Sequence, residues 1–318
     1  MSIARLWRES FRAMGTLCEI AVTAGPLDGS KSHRALAASR AEIGVCERAL
    51  SRFDPASDLS RLNAASGEWV EVGTRLEAAL RLALRAREDS AGRFDPTILP
   101  VLQAAGYDRS FELLEQRPPR EVASWRPGAE VELDGNGSAR VARGSAVDLG
   151  GIAKGFAAGR ALNAMLAAWP ALPGGLADLG GDIAAWGRSP EGSWRLAIAD
   201  PRRPESTLGT LELVAGGVAT SGRDTRRFGP GQTFHHLIDP ATGVPARSGP
   251  LAVTVVAAEP VEAEAHATAL AVTDPADAEI YVAARPHLAA LLVPDDGDPV
   301  ALGRLPLARP SLAAEAVG

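Results

Sequence analysis

Val147-Asp148-Leu149-Gly150-Gly151-Ile152-Ala153-Lys154-Gly155 reads as the end of a strand, a paired-glycine turn and the start of a helix over residues 152–169. Paired glycines let a ligand approach the backbone, because no Cβ intervenes. The first amides of a helix can hold phosphate oxygens. A second segment, Ala177-Asp178-Leu179-Gly180-Gly181-Asp182, repeats the pattern of apolar residue, acid and two glycines. Either segment alone fits a plain tight turn equally well. Neither is the GxGxxG dinucleotide fingerprint, and no Walker A sequence is present.

Lysine usage singles out the first segment. The chain holds 33 Lys plus Arg, of which only Lys31 and Lys154 are lysine. A compact ammonium at a glycine-rich helix start suits a phosphate group. The competing reading is a solvated lysine.

The surrounding chain reads as α+β. Helical patterns cover 32–51, 74–90, 152–169, 261–272 and 275–284. Thr74 with Glu77 suggests an N-cap, and Gly92 a helix stop. Strand patterns cover 14–23, 176–186, 194–198, 209–214, 218–221, 251–258 and 288–293. Asp134-Gly135-Asn136-Gly137 between short apolar runs is a hairpin signal. Helices fall irregularly among strands, unlike a regular βαβ alternation. We expect a single domain over 11–304, an N-terminal extension over 1–10 and a disordered tail over 305–318. The Pro- and Arg-rich stretch 118–127 reads as a surface excursion.

Composition narrows the function classes. At 318 residues and 46% hydrophobic, the chain can bury a large core. The net charge is −6 with no basic stripe, so nucleic acid is not an expected partner. Cys18 and Cys46 have no zinc or disulfide spacing and read as buried thiols. No apolar window suggests a membrane span, a signal peptide or a lipid anchor, so the expected location is cytoplasmic.

Two further segments carry chemistry. In His235-His236-Leu237-Ile238-Asp239-Pro240-Ala241-Thr242-Gly243, His236 could act as a general base. A structural histidine is the commoner alternative. In Glu262-Ala263-Glu264-Ala265-His266-Ala267-Thr268-Ala269, Glu264 and Thr268 lie four apart on one helical face. A carboxylate and a hydroxyl there could ligate a hard cation such as Mg²⁺. The helix is otherwise apolar, and an unpaired buried Glu264 would be costly.

Together these segments resemble the FAD:protein FMN transferase family, the ApbE-type flavin transferases. The likeness runs in order from about residue 11 to 293. It includes Met14-Gly15-Thr16, Leu50-Ser51-Arg52-Phe53-Asp54-Pro55, Leu59-Ser60-Arg61-Leu62-Asn63, Phe94-Asp95-Pro96-Thr97 and Thr220-Ser221-Gly222. The other members are the segments 147–155, 178–182, 236–243 and 263–268.

The resemblance implies an ApbE, T-fold-like domain of mixed antiparallel sheets and packed helices. It implies Mg²⁺-dependent transfer of FMN from FAD to a threonine or serine of a target protein, with release of AMP. Met14, Phe53, Arg93, Phe94, Asp95, Asp148, Lys154 and Ile238 would bind FAD. His236, Lys154 and Asp148 would be the catalytic group, with His236 the base. The Gly151 carbonyl and the Glu264 and Thr268 side chains would hold Mg²⁺. Three features depart from the family pattern: Glu264 replaces the usual aspartate, Phe53 replaces a Tyr or Asn, and the export signal common among members is not seen. Two rival readings share the site. One is a Mg²⁺-dependent FAD pyrophosphatase, and the other is a non-catalytic flavin-binding protein.

Overall fold

The computed structural model describes residues 4–65, 67–109, 114, 125–224, 227–229, 231 and 234–308. In chain order the elements begin with β1 (Arg5–Ala13), β2 (Thr16–Ala24), α1 (Gly29–Leu50), α2 (Asp58–Ala64), β3 (Val70–Glu71), α3 (Thr74–Asp89) and α4 (Leu99–Ala104). Next come β4 (Val131–Leu133), β5 (Ser138–Val141), α5 (Ala153–Ala168), β6 (Gly174–Leu179), β7 (Ile183–Gly187), β8 (Trp194–Asp200), β9 (Arg203–Leu213) and β10 (Ala215–Gly222). The short β11 (Arg227–Phe228), β12 (Phe234–His235), β13 (Ile238–Asp239) and β14 (Val244–Pro245) follow. The last are β15 (Ala252–Ala257), α6 (Pro260–Ala271), α7 (Pro275–Ala283), β16 (Ala289–Val293) and β17 (Val300–Leu302).

Eight strands form one sheet in the order β1-β2-β6-β7-β10-β15-β16-β17, and every neighbouring pair is antiparallel. Side chains alternate across a strand, and β2 sorts its residues accordingly. Cys18, Ile20, Val22 and Ala24 face the main core, while Ala21 faces a second one. In β15, Val253, Val255 and Ala257 take the first side and Val256 the other. The main core is completed by α1, α3, α5 and α6. The hairpin β8–β9 covers the opposite face with Trp194, Ile198, Leu211 and Leu213. The expected α+β class and mixed antiparallel sheets are therefore present.

One close approach organises the helical layer. A Cβ at Gly155 in α5 would lie 2.4 Å from the Pro260 carbonyl oxygen at the start of α6. Glycine lets the two helix N-termini meet, which brings Lys154 beside Glu264.

Several local expectations are corrected. Residues 147–149 belong to no ladder. Instead, Asn63 of α2 clamps Val147, donating to its carbonyl at 2.9 Å and accepting from its N–H at 2.8 Å. The Asp148 N–H donates to the Pro96 carbonyl at 2.7 Å. The segment is thus extended without being a strand, because side-chain and loop partners take the place of a neighbouring strand.

The cap of α3 is Gly73, whose N–H donates to Asp58 at 3.2 Å, and Thr74 is the first helical residue. Gly92 does end the helix region, with φ +78° and its N–H on the Arg87 carbonyl. Residues 5–10, expected to precede the domain, form most of β1. Residues 305–308 run along β9: the Glu212 N–H donates to Pro306, and Ala308 donates to Thr210. The rest of the expected tail, 309–318, lies outside the described residues, as do positions 118–124 of the stretch read as a surface excursion. Among the described residues, no helix is long and apolar enough to cross a membrane.

Candidate functional site

Two neighbouring cavities share Gly150, Lys154 and His236 as a common wall. The first, of about 270 Å³, is also lined by Met14, Glu47, Arg52, Phe53, Tyr107 and Asp148. The second, of about 240 Å³, is lined by Thr16, Ser221, Glu264 and Thr268 among glycines. The division is chemical: aromatic and apolar groups with one ion pair on one side, hydroxyls and a carboxylate on the other.

The first cavity is built by the turns around it. Met14 and Gly15 form the β1–β2 turn, both with positive φ, +51° and +70°. That conformation is uncommon for a methionine. It is held by the Met14 N–H, which donates to Glu47 of α1 at 2.5 Å. Arg52 follows α1 and points inward. Its Nε lies 2.8 Å from Asp148, with only 8% and 9% of the two side chains exposed. Its Nη1 donates to the Tyr107 carbonyl at 3.0 Å. The guanidinium also lies 4.2 Å from the Phe53 ring and 4.5 Å from the Tyr107 ring. The second oxygen of Asp148 accepts the Gly150 N–H at 2.9 Å. Asp148 therefore fixes both a cation and the turn that opens α5.

The second cavity is ionic at its floor. The Lys154 ammonium contacts Asp182 and lies 3.0 Å from Glu264 Oε1. Asp182 and Glu264 are each only 2% exposed. Glu264 Oε2 accepts the Gly155 N–H at 2.7 Å. A carboxylate from α6 thus caps the start of α5, where free amides and the helix dipole favour negative charge. Thr268 Oγ1 lies 3.5 Å from both the Gly151 carbonyl oxygen and Ser221 Oγ. A Cβ at Gly151 would come within 2.8 Å of the Thr268 hydroxyl, so glycine keeps this junction open.

Gly151, Glu264 and Thr268, the expected cation set, line this same cavity. Two buried carboxylates face one ammonium, which leaves an excess negative charge that a hard divalent cation would offset. No cluster of three His, Cys, Asp or Glu able to hold a metal exists among the described residues.

The remaining expected flavin contacts line neither cavity. Phe94 is buried beneath Gly151, where a Cβ would meet its ring at 3.2 Å. Asp95 shapes a loop, accepting from the Thr97 N–H and hydroxyl at 2.8 and 2.7 Å and from the Gly128 N–H at 2.6 Å. The Arg93 guanidinium lies 5.6 Å from the Tyr281 ring. Ile238 packs with Val101, Leu102, Tyr107 and Phe228. Phe94 and Ile238 thus back wall residues, Gly151 in one case and Leu102 and Tyr107 in the other.

The other histidines are occupied elsewhere. His235 Nε2 lies 3.0 Å from the Ala246 carbonyl, and burial lowers its pKa. His266, on α6 between Glu264 and Thr268, faces away from both. Its Nδ1 is 2.6 Å from the Tyr281 hydroxyl, and burial pushes its pKa down to about 4.

Sequence reasoning missed Glu47, Arg52, Tyr107, Asp182 and Ser221 as individual site residues. Arg52, Asp182 and Ser221 sit inside the quoted motifs and could have been drawn from them. Glu47 and Tyr107 carry no local signal, because only the tertiary fold brings them to the cavity.

A model described as the ApbE family matches residues 14–292. The FAD:protein FMN transferase of Treponema pallidum is 32% identical over 291 residues, covering 82% of this chain and 78% of that protein. The one from Rhodobacter capsulatus is 30% identical over 297 residues, covering 91% of this chain and 55% of its own. The crystal structure of the ApbE protein from Thermotoga maritima superposes with a TM-score of 0.84 at 29% identity, covering 94% and 97% of the two chains. The Pseudomonas stutzeri flavinyl transferase ApbE shares the fold, with a TM-score of 0.78 at 24% identity over 94% and 95%.

Proposed function

The chain belongs to the ApbE family, and on that premise we propose that it is a transferase moving FMN from FAD to a threonine or serine hydroxyl of a target protein, with release of AMP. The observation that carries this reading is the shared wall. Lys154, Gly150 and His236 stand between a cavity with aromatic groups and a cavity with oxygen donors. FAD has a matching division, a flat flavin at one end and a charged pyrophosphate towards its middle.

In this reading Met14, Phe53 and Tyr107 contact the flavin end, and the Asp148–Arg52 pair keeps that wall rigid. Lys154 and the start of α5 lie where pyrophosphate oxygens would sit. His236 accepts the proton of the attacking hydroxyl. The hydroxyl oxygen bonds to the phosphorus of the FMN half, the bridging P–O bond breaks, and AMP leaves with the electron pair. Phosphoryl transfer of this kind depends chiefly on positioning and charge stabilisation. A Mg²⁺ held by the Gly151 carbonyl and the Glu264 and Thr268 side chains would supply neutralisation of the phosphoryl oxygens. Glu264 already holds the Gly155 N–H with one carboxylate oxygen and Lys154 with the other, so a cation there would share one of them.

The test is incubation with FAD and Mg²⁺, with and without a threonine-bearing acceptor protein. The expected result is a gain of one FMN on the acceptor by mass spectrometry, with equimolar AMP. FMN released equally without acceptor would assign the site to pyrophosphate hydrolysis. Bound but intact FAD under both conditions would leave only a flavin-binding protein.

A further inference from the structure

Lys154 has two demands on it. It lines both cavities, yet its ammonium is held by Asp182 and Glu264. Glu264 also lines the cavity where the Thr268 hydroxyl, the Ser221 hydroxyl and the Gly151 carbonyl meet. A divalent cation drawing on Glu264 would sit within a few ångströms of the ammonium. Like charges at such a distance repel strongly in a buried site. Both Glu264 oxygens already have a partner, Oε1 the Lys154 ammonium and Oε2 the Gly155 N–H.

We infer that Lys154 and a divalent cation compete for Glu264 Oε1, so that cation binding releases the ammonium from Glu264 towards the first cavity. Asp182 is the pivot of this exchange: it keeps one contact to Lys154 while Glu264 gives its own up. The lysine is thereby delivered to the pyrophosphate only when the cation is in place, which couples cation and substrate binding through one side chain. Arginine would serve poorly here, because its fork would keep several hydrogen bonds to the two carboxylates at once. That accounts for a lysine at this position in a chain that otherwise uses arginine almost throughout. The inference rests on reading the second cavity as a divalent-cation site.

The two-lysine composition provides a direct test on the native protein. Lysine labelled at Cε gives two NMR signals, from Lys154 and from the surface residue Lys31, whose side chain is 52% exposed. Titration with Mg²⁺ alone, without FAD, is expected to shift the Lys154 signal in step with cation binding and to leave Lys31 in place. In parallel, Mn²⁺ affinity measured by EPR is expected to tighten about tenfold or more in Lys154→Met, because the competing cation is gone. A cation that binds while the Lys154 signal stays fixed would overturn the exchange and spare the metal reading. So would a Mn²⁺ affinity unchanged or weakened in Lys154→Met. No binding of either cation would overturn both. FAD cleavage is not needed for any of these readouts, so the transferase reading stands or falls separately.

Discussion

The segments 147–151 and 177–181 share a pattern of apolar residue, Asp, Leu, Gly, Gly, yet the molecule uses them in opposite ways. In both, the aspartate accepts a backbone N–H from the glycine pair: Gly150 for Asp148 and Gly181 for Asp178. Beyond that shared turn chemistry they diverge. Asp178 is the penultimate residue of β6, and Gly180 and Gly181 take φ of +71° and +95° in the tight turn to β7. Asp148 lies outside any strand, and its glycines lead into α5 without positive φ. Asp148 faces the buried guanidinium of Arg52, whereas Asp178 sits opposite Glu19 in the β2–β6 ladder. Burial first, with Glu19 adding to it, raises the pKa of Asp178 above the usual carboxylate value. A local pattern therefore codes for a turn, and the partner across the fold decides what its aspartate does.

The sharpest way to break the contrast is at the helix that the first segment opens. Glu264→Ala removes both the cap of α5 and the contact to Lys154. It is expected to lower kcat for FMN transfer by roughly 10²–10³-fold, the scale of losing one preorganised electrostatic group. Turnover within a few-fold of wild type, in protein of normal Tm, would remove Glu264 from the reaction.

The aspartates themselves come next. Asp148→Asn leaves Arg52 as a buried, uncompensated charge, and breaking such a pair costs about 3–5 kcal/mol. Urea denaturation should register that loss, and FAD affinity should fall with it. A loss below about 1 kcal/mol would mean that the pair contributes no more than a surface ion pair.

The glycines separate at a smaller scale. Gly180→Ala places a Cβ at positive φ and 2.2 Å from the Thr16 hydroxyl, with a cost of roughly 1–2 kcal/mol or more. Gly150→Ala meets only the Asp148 carboxylate, at 2.8 Å, and should cost less in thermal melts. The reverse order would show that the first turn is the more constrained of the two.

The smallest effect has the opposite sign. A carboxyl whose folded pKa is raised costs nothing below its unfolded value and destabilises progressively as pH rises through the folded one. Asp178→Asn is therefore expected to be neutral near pH 3 and slightly stabilising at pH 7. Denaturation curves at the two pH values check it, and a destabilised variant at pH 7 would mean that the ionised carboxylate is needed for the turn.

Legibility followed the same division between local code and distant partner. The long helices are readable because their apolar faces repeat with helical period, as Leu76, Leu80 and Leu84 do in α3. The alternation of β2 and the Asp134–Gly137 turn were readable for similar reasons. The sequence pattern puts the cap of α3 at Thr74, one residue late, because Asp58, fifteen positions upstream, takes the Gly73 N–H. The strand expected at 147–149 failed because Asn63 supplies the partners that a neighbouring strand would have supplied.

The sequence by itself determined the α+β class, the two glycine-rich turns, the isolated lysine and the spacing that puts Glu264 and Thr268 on one helical face. Each depends on neighbours within a few positions, where backbone sterics and periodicity act without help. Only the tertiary structure decided that Arg52 belongs to Asp148, that Glu264 caps α5 while holding Lys154, and that Asp182 completes the ionic floor. Those pairings join residues up to 110 positions apart. They exist because a buried charge needs a partner, and the choice among many possible partners is made by which helices can approach closely, as Gly155 allows α5 and α6 to do.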